Sequence, residues 1–92
     1  MIRSIRHKGL KGLHEDDDPR GVIGEHTAKL RDILARLDAA STVADMDLPG
    51  FHLHPLKGDF KGFWAITVRA NWRVIFRLSN GDTLDIDYVD YH

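Results

Sequence analysis

Apolar residues recur at helical spacing in the first half of the chain. They predict a helix over Val22–Ala40 with one buried face. That face is made of Leu30, Ile33, Leu34 and Leu37. A second helix is predicted over His7–His14, where two leucines lie three positions apart. Ala39–Asp47 adds one more short helical turn, and the following Leu-Pro-Gly sequence ends the helical half.

The second half of the chain has the alternation of apolar and polar residues that is typical of strands. Four strands are predicted: Phe51–Leu56, Phe63–Ala70, Arg73–Leu78 and Thr83–Val89. In the last strand, Leu84, Ile86 and Tyr88 are expected to share one face. Asn80-Gly81 predicts a tight hairpin between the last two strands.

The order of these elements predicts an α+β fold, in which two to three helices pack on one side of a mainly antiparallel sheet. Met1–Arg6 is expected to add an N-terminal strand, and Glu15–Gly21 is expected to be a charged loop. In that loop, Asp18 before Pro19 could also cap a helical turn. With 92 residues, the chain is expected to form a single domain over residues 1–92.

Composition narrows the classes of protein that fit. The sequence has no cysteine, which excludes disulfides, thiolate catalysis and Cys-based zinc sites. Its apolar runs are far shorter than the roughly 20 residues of a membrane helix. The first residues lack the apolar segment of a secretory signal. We therefore expect a cytoplasmic protein without a membrane partner.

Charge is nearly balanced but unevenly distributed. The net charge is −1, which argues against strong nonspecific binding of nucleic acid. Four of the 14 acidic residues form the run 15–18, and four basic residues occur within the first eleven positions. An acidic loop beside a mildly basic body is the simplest interpretation.

Basic side chains also gather in the strand-rich half. Arg69, Arg73 and Arg77 recur every four residues across a predicted hairpin and can converge on one face of the sheet. With His54 and Lys57 on a neighbouring strand and turn, they would suit a phosphate group. A solvated face with scattered arginines explains the same pattern equally well.

The sequence ends in three titratable residues, Asp90, Tyr91 and His92. An imidazole beside the chain's own carboxylate favours the protonated form, which suits a general acid. Chain ends usually fray, so the residues alone favour an exposed tail.

A metal site is a second possibility with a weak signal. His52 and His54 alternate on one face of a predicted strand, and His92 or Asp90 could complete the set of ligands, but the recognised zinc motifs are missing. We therefore expect no metal, and without a phosphate-binding glycine motif we expect no nucleotide cofactor.

Three blocks together resemble the HigB branch of the RelE toxin superfamily. They are His52–Asp59, Trp64–Phe76 and Asp87–His92, and the first eleven residues are similar as well. The resemblance covers essentially the whole chain. It implies a compact RelE-like fold, with two helices packed on a curved antiparallel sheet.

The resemblance also implies a function. It is typical of the toxin of a type II toxin–antitoxin pair, a small bacterial endoribonuclease that cuts mRNA on the 70S ribosome without a cofactor. The positions that match the family's functional residues are His54, Lys57, Arg73, Asp90, Tyr91 and His92. Further RNA contacts are expected at Arg69, Arg77, Lys8 and Lys11. The implied protein partner is a cognate antitoxin of the helix-turn-helix, HigA-like kind.

The chemistry of RNA cleavage fits these side chains. The adjacent 2′-hydroxyl can attack the phosphorus in line, so the protein must supply a base, an acid and cations. His54 or Asp90 is the candidate base and His92 the candidate acid. Lys57 and Arg73 would stabilise the phosphorane, and Tyr91 would orient the phosphate. If RNA is bound there, the acidic run must point away from it.

Two other functions remain compatible with the fold. ParE-like toxins share it, lack the catalytic residues and bind DNA gyrase instead. A sheet that binds phosphate or RNA without turnover is the third possibility. The terminal Asp-Tyr-His sequence, with His54, Lys57 and Arg73, favours the nuclease.

Overall fold

A computed structural model describes residues 1–90 of the chain. In this part there are two α-helices and four strands. They are α1 (Lys8–Asp16), α2 (Thr27–Ala39), β1 (His54–Pro55), β2 (Trp64–Arg69), β3 (Trp72–Ser79) and β4 (Asp82–Asp90). Short 3-10 turns lie at Pro19–Gly21, Gly24–His26, Val43–Met46 and Gly58–Phe60. The predicted α+β class is confirmed.

The strands form one antiparallel sheet in the order β1-β2-β3-β4. The N-terminal segment runs parallel to β4, through isolated bridges at Ile2↔Thr83 and Ile5↔Ile86. It therefore covers the edge of β4 without forming the continuous strand that the sequence predicted. Between the bridges, Asp85 bulges out with φ 54°, and its N–H donates to the Ser4 hydroxyl at 2.8 Å.

One face of the sheet, here called the helix-side face, packs against α1 and α2. The predicted apolar stripe of α2 is buried there, as are Leu10 and Leu13 of α1. The sheet contributes Ile66, Val68, Val74, Phe76, Ile86 and Tyr88. The helical periodicity therefore correctly predicted the main core.

The opposite face of the sheet, here called the open face, carries a smaller apolar cluster. Its buried members are Leu56, Phe63, Ala65 and Ile75. In the described part of the chain, neither α-helix contributes to this cluster. Polar side chains from three strands can therefore reach solvent around it.

The bulge overturns one detail of the predicted pattern in β4. Arg77 pairs with Leu84, whereas Ile75 pairs with Asp87, so the register shifts at Asp85. Leu84 therefore does not share the face of Ile86 and Tyr88, as the simple alternation predicted.

Two predicted elements are shorter than expected. α2 begins at Thr27 because the preceding residues form 3-10 turns, the first capped by the Asp18 side chain. β1 is limited to two residues, since His52 adopts a left-handed conformation at φ 50° and interrupts extended pairing. Conversely, α1 continues to Asp16, so the first two acidic residues of the run are helical rather than in a loop.

Candidate active site on the open face

His54 lies on the open face at the start of a cross-strand row. The register aligns His54 with Ala65, Ala65 with Ile75, and Ile75 with Asp87. The half-buried imidazole has its Nδ1 2.8 Å from the carbonyl oxygen of His52. A carbonyl can only accept, so Nδ1 donates, and Nε2 of the neutral ring keeps its lone pair. In this tautomer Nε2 is the nitrogen that can accept a proton, as a general base must.

Arg73 occupies the neighbouring row on the same face. It pairs with Thr67 on β2 and with Val89 on β4. Its Nη1 donates to the carbonyl oxygens of Ala70, at 2.5 Å, and Trp72, at 3.1 Å. These bonds tie the guanidinium to its own hairpin through one nitrogen. The Nε and Nη2 edge has the geometry that matches two phosphate oxygens.

Lys57 follows β1 and precedes the Gly58–Phe60 turn, and its side chain is exposed. Its backbone carbonyl accepts a hydrogen bond from Phe60 N–H at 3.3 Å, which closes the turn. The lysine therefore stands on a short structured connection, close in sequence to His54. An ammonium at this position suits the stabilisation of negative charge on a phosphate.

The end of β4 approaches this region from the other face. Asp90 pairs with Trp72, whereas Val89 pairs with Arg73, so Asp90 and Arg73 lie on opposite faces of the sheet. The side chains of Asp90 and Arg73 can therefore approach each other only around the ends of β3 and β4. The remaining two predicted catalytic residues, Tyr91 and His92, lie outside the described residues.

Arg69 does not join the other two arginines, so their predicted convergence is wrong for this residue. The register shifts between Thr67 and Arg69, and Arg69 then pairs with Trp72 on the helix-side face. Its guanidinium donates to Glu25 at 2.9 Å. Arg77 does share the open face with Arg73, and it donates to Asp85 at 2.7 and 3.0 Å.

Lys8 and Lys11 lie in the helix layer, on the opposite side of the sheet from His54 and Arg73. They line a cavity of about 550 Å³ between α1 and the Pro19–Gly21 turn, together with Glu15, Asp16 and Asp18. The structure thus does not group these lysines with the predicted cations of the open face.

The acidic run also belongs to the helix layer, away from the open face. Arg20 pairs with Asp18 at 2.8 Å, and Arg31 pairs with Asp17 at 3.0 Å. The hydrogen bonds from Arg20 lower the pKa of Asp18 to about 2. A net charge near zero is therefore compatible with a cationic open face, because many of the carboxylates lie on the other side of the molecule.

One polar cluster beneath the site was not predicted. His26 is buried, and its Nδ1 lies 2.5 Å from the Tyr88 hydroxyl. The Trp72 ring packs against Tyr88, with the centroids 4.6 Å apart, and burial raises the pKa of Tyr88. Trp72 precedes Arg73 on β3 and pairs with Asp90 on β4, so the cluster lies at the strand ends that carry these two residues. His26 has no motif spacing, so the sequence offered no signal for this contact.

Metal-binding groups of side chains and membrane-spanning helices are both missing from residues 1–90. No group of three or more His, Cys, Asp or Glu side chains is arranged there to hold a metal ion. No helix in the same range has the length and apolar character needed to cross a bilayer.

The chain resembles known proteins along its whole length. Residues 3–92 match a family described as HigB-like toxin, a RelE-like toxin of the type II toxin-antitoxin system HigB. The chain is 45% identical to the Endoribonuclease HigB of Proteus vulgaris over 92 residues, which cover both proteins completely. It is 31% identical over 97 residues to Toxin HigB-1 of Vibrio cholerae serotype O1, covering all of this chain and 98% of that one.

Solved structures of RelE-superfamily toxins have the same fold. The YoeB/ParE toxin from Agrobacterium tumefaciens has a TM-score of 0.59 at 17% identity, covering 100% of this chain and 95% of that one. YafQ from E. coli strain BL21(DE3) has a TM-score of 0.51 at 20% identity, covering 92% and 88% of the two chains. At such low identity the likeness establishes the RelE-like fold alone.

Proposed function

This chain belongs to the HigB-like family of RelE-like type II toxins, and we propose that it cleaves mRNA on the translating ribosome. It is the toxin of a toxin–antitoxin system and an endoribonuclease, as its Proteus vulgaris relative is named. A toxin of this class has an antitoxin partner. The ribosome as the place of cleavage and the residues that cleave are the proposed part.

The half-buried His54 on the face that also carries Arg73 is the observation that supports the catalytic role. In the proposed reaction, His54 Nε2 takes the proton of the 2′-hydroxyl as O2′ attacks the phosphorus. The P–O5′ bond breaks and leaves a 2′,3′-cyclic phosphate on the upstream fragment. An acid then protonates the leaving O5′.

Cations compensate the negative charge that grows on the phosphorane oxygens. Arg73 can offer two parallel N–H donors, and Lys57 can offer a mobile point charge. His92 is the proposed acid, Asp90 is the alternative to His54 as the base, and Tyr91 is proposed to orient the phosphate.

The proposal is tested in a purified translation system with primer extension along a defined message. Wild-type protein should cut the message only when it is being translated. Arg73→Ala should reduce the initial cleavage rate about 10²- to 10³-fold, because one charge-stabilising donor group is lost. Arg36→Ala removes an arginine that is paired with Asp32 on α2 and serves as the control.

Equal cleavage by Arg73→Ala and wild type would exclude a catalytic role for this arginine. Cleavage of free message at the translated rate would exclude dependence on the ribosome. Inhibition of DNA gyrase by a protein that leaves the message intact would instead identify a ParE-like poison.

We also propose that the toxin acts in the bacterial cytoplasm, where ribosomes are available. There it would be held by a helix-turn-helix, HigA-like antitoxin encoded beside it. Co-expression of the neighbouring reading frame should relieve growth arrest and yield a complex that co-purifies. Failure of that protein to bind the toxin would exclude it as the antitoxin.

A further inference from the structure

A second group of side chains lies on the open face, away from Arg73. Here called the arginine–phenylalanine cluster, it consists of Arg6, Phe60, Phe63 and Arg77. The Cζ atoms of Arg6 and Arg77 each lie 5.6 Å from the centre of the Phe63 ring. The Phe60 ring meets Phe63 edge-on, with centroids 5.6 Å apart and planes at 87°.

Three members of the cluster face solvent, whereas Phe63 is buried beneath them. Phe60 is 43% exposed, and the side chains of Arg6 and Arg77 are 54% and 47% exposed. Within residues 1–90, Phe60 is the single aromatic residue among the exposed large hydrophobic ones. An exposed aromatic ring and two partly exposed guanidinium groups, all of which contact Phe63, are therefore available to a ligand.

Basic side chains outnumber acidic ones around this cluster, even when Asp87, which pairs with Ile75 on the same face, is included. Asp85 is shared by Arg77, at 2.7 Å, and Arg6, at 3.5 Å, so one carboxylate faces two guanidinium groups. Lys57 and Lys61 flank the turn that carries Phe60, and Asp59 lies within it. Since these ion pairs are partly exposed, they are weak, and an incoming phosphate can compete for the arginines.

We propose that the arginine–phenylalanine cluster is a subsite for an unstacked nucleotide of the substrate RNA. Its base stacks on Phe60, and its phosphate pairs with Arg6 and Arg77. Exposed aromatic rings and guanidinium planes in a cationic setting are the features by which proteins hold single-stranded RNA. Stacking tolerates every base, so the subsite contributes affinity and register rather than a strict sequence code.

This inference rests on the proposed function, because it assumes that the bound nucleotide belongs to the RNA molecule that is cleaved. Arg77 follows Arg73 by four residues along β3, and the two share the open face. Four residues of strand span about 13 Å. The subsite therefore receives a nucleotide flanking the cleaved bond, not the reacting one.

Binding is measured with a fluorescently labelled single-stranded RNA whose 2′-hydroxyls are all methylated, so that it cannot be cut. Phe60→Ala should raise Kd about 5- to 100-fold, because the stacking platform is lost. Phe60→Trp should bind like wild type, since it keeps an aromatic face. Arg77→Ala should weaken binding and reduce its salt dependence.

Ile23→Ala is the matched control, because Ile23 is 39% exposed but lies beside the helices. It should leave Kd unchanged. Thermal unfolding of each variant shows whether it is folded. Because Phe60→Trp keeps the ring, loss of binding in Phe60→Ala together with its retention in Phe60→Trp supports stacking even if both variants are less stable.

Unchanged RNA affinity in Phe60→Ala and Arg77→Ala would overturn the subsite. Weaker antitoxin binding with unchanged RNA affinity would overturn it too, by making the cluster a protein-docking surface. If these variants lost association with the ribosome but kept their affinity for the RNA probe, the subsite would also be overturned. If wild-type protein binds the probe through Phe60 but never cuts translated message, the proposed function fails and the subsite stands.

Discussion

The two faces of the sheet differ in what they bury and in what they expose to solvent. The helix-side face carries the large buried side chains, including Phe76 and Ile66, that pack against both helices. The open face has a small apolar cluster, with His54, Arg73 and Arg77 around it. Because alternate positions of one strand point to opposite faces, residues that form the main core and residues proposed for RNA cleavage can alternate along the same strands.

Polar groups on the helix-side face are tied to fixed partners. The Thr83 hydroxyl donates to the Leu37 carbonyl at 3.0 Å, and His26 pairs with Tyr88. In the described chain, every buried side-chain nitrogen or oxygen has a hydrogen-bond partner. On the open face, the arginines instead use carbonyls and a part-exposed carboxylate, partners that a phosphate can supplement or replace.

The largest expected effect is on activity, from a substitution on the open face. His54→Ala should lower the cleavage rate about 10²- to 10⁴-fold, because the proposed general base is lost. Its free energy of unfolding should change by less than about 1 kcal/mol, since the side chain is outside the main core. Primer extension and urea unfolding measure the two effects. A variant that stays active, or that unfolds as easily as a core variant, would contradict the division between the faces.

The reverse effect is expected from the helix-side face. Phe76→Ala should lower the free energy of unfolding by about 3–5 kcal/mol, because a fully buried ring is removed from the core. Phe60→Ala is the matched control, with the same chemical change at an exposed position, and should cost far less. Urea unfolding compares them. Similar losses in both variants would mean that the two faces do not differ in this way.

The close packing of α1 against the Pro19–Gly21 turn can be tested by a pair of glycines in α1. A Cβ at Gly9 would lie 2.0 Å from the Gly21 carbonyl oxygen, whereas a Cβ at Gly12 would meet nothing within 4 Å. Gly9→Ala should therefore destabilise the fold by about 1–3 kcal/mol. Gly12→Ala should stabilise it by up to about 1 kcal/mol, through helix propensity alone. Equal effects in thermal unfolding would show that the close approach is not required.

A modest effect on stability is expected from the buried His26–Tyr88 pair. Tyr88→Phe should cost about 1–2 kcal/mol at neutral pH, since His26 loses its hydrogen-bond partner. The raised pKa of Tyr88 also has a consequence at high pH, because burial disfavours the phenolate in the folded state. The stability that this shift of the Tyr88 pKa contributes is intact below pH 10.0, the ordinary pKa of tyrosine. It is lost as the pH rises above that value, because the unfolded chain then ionises before the folded one.

Urea unfolding of wild type and Tyr88→Phe between pH 8 and pH 11 measures this alkaline loss. The wild type should lose more stability over that range than the variant, which has no phenol at this position. An equal loss in the two proteins would show that Tyr88 does not contribute to the alkaline sensitivity.

Patterns local in sequence predicted much of the fold. The spacing of Leu30, Ile33, Leu34 and Leu37 predicted the buried face of α2, and all four are buried. Asn80-Gly81 predicted the last hairpin, and both residues adopt the positive φ that such a turn requires. Resemblance, rather than spacing, identified the family, and it also marked His54 and Arg73, which share the open face.

The helices, most of the strands and the last hairpin follow from the amino-acid sequence alone, because periodicity and turn chemistry act over a few residues. The faces that the polar side chains occupy depend instead on how the strands pair and pack. A bulge separated Leu84 from Ile86, and another register shift took Arg69 to Glu25. Folding also brings Arg6 into contact with Phe63 and His26 into contact with Tyr88. In each pair the two residues are more than fifty positions apart in the sequence. Strand register and packing create such contacts only after folding, so no local pattern can reveal them.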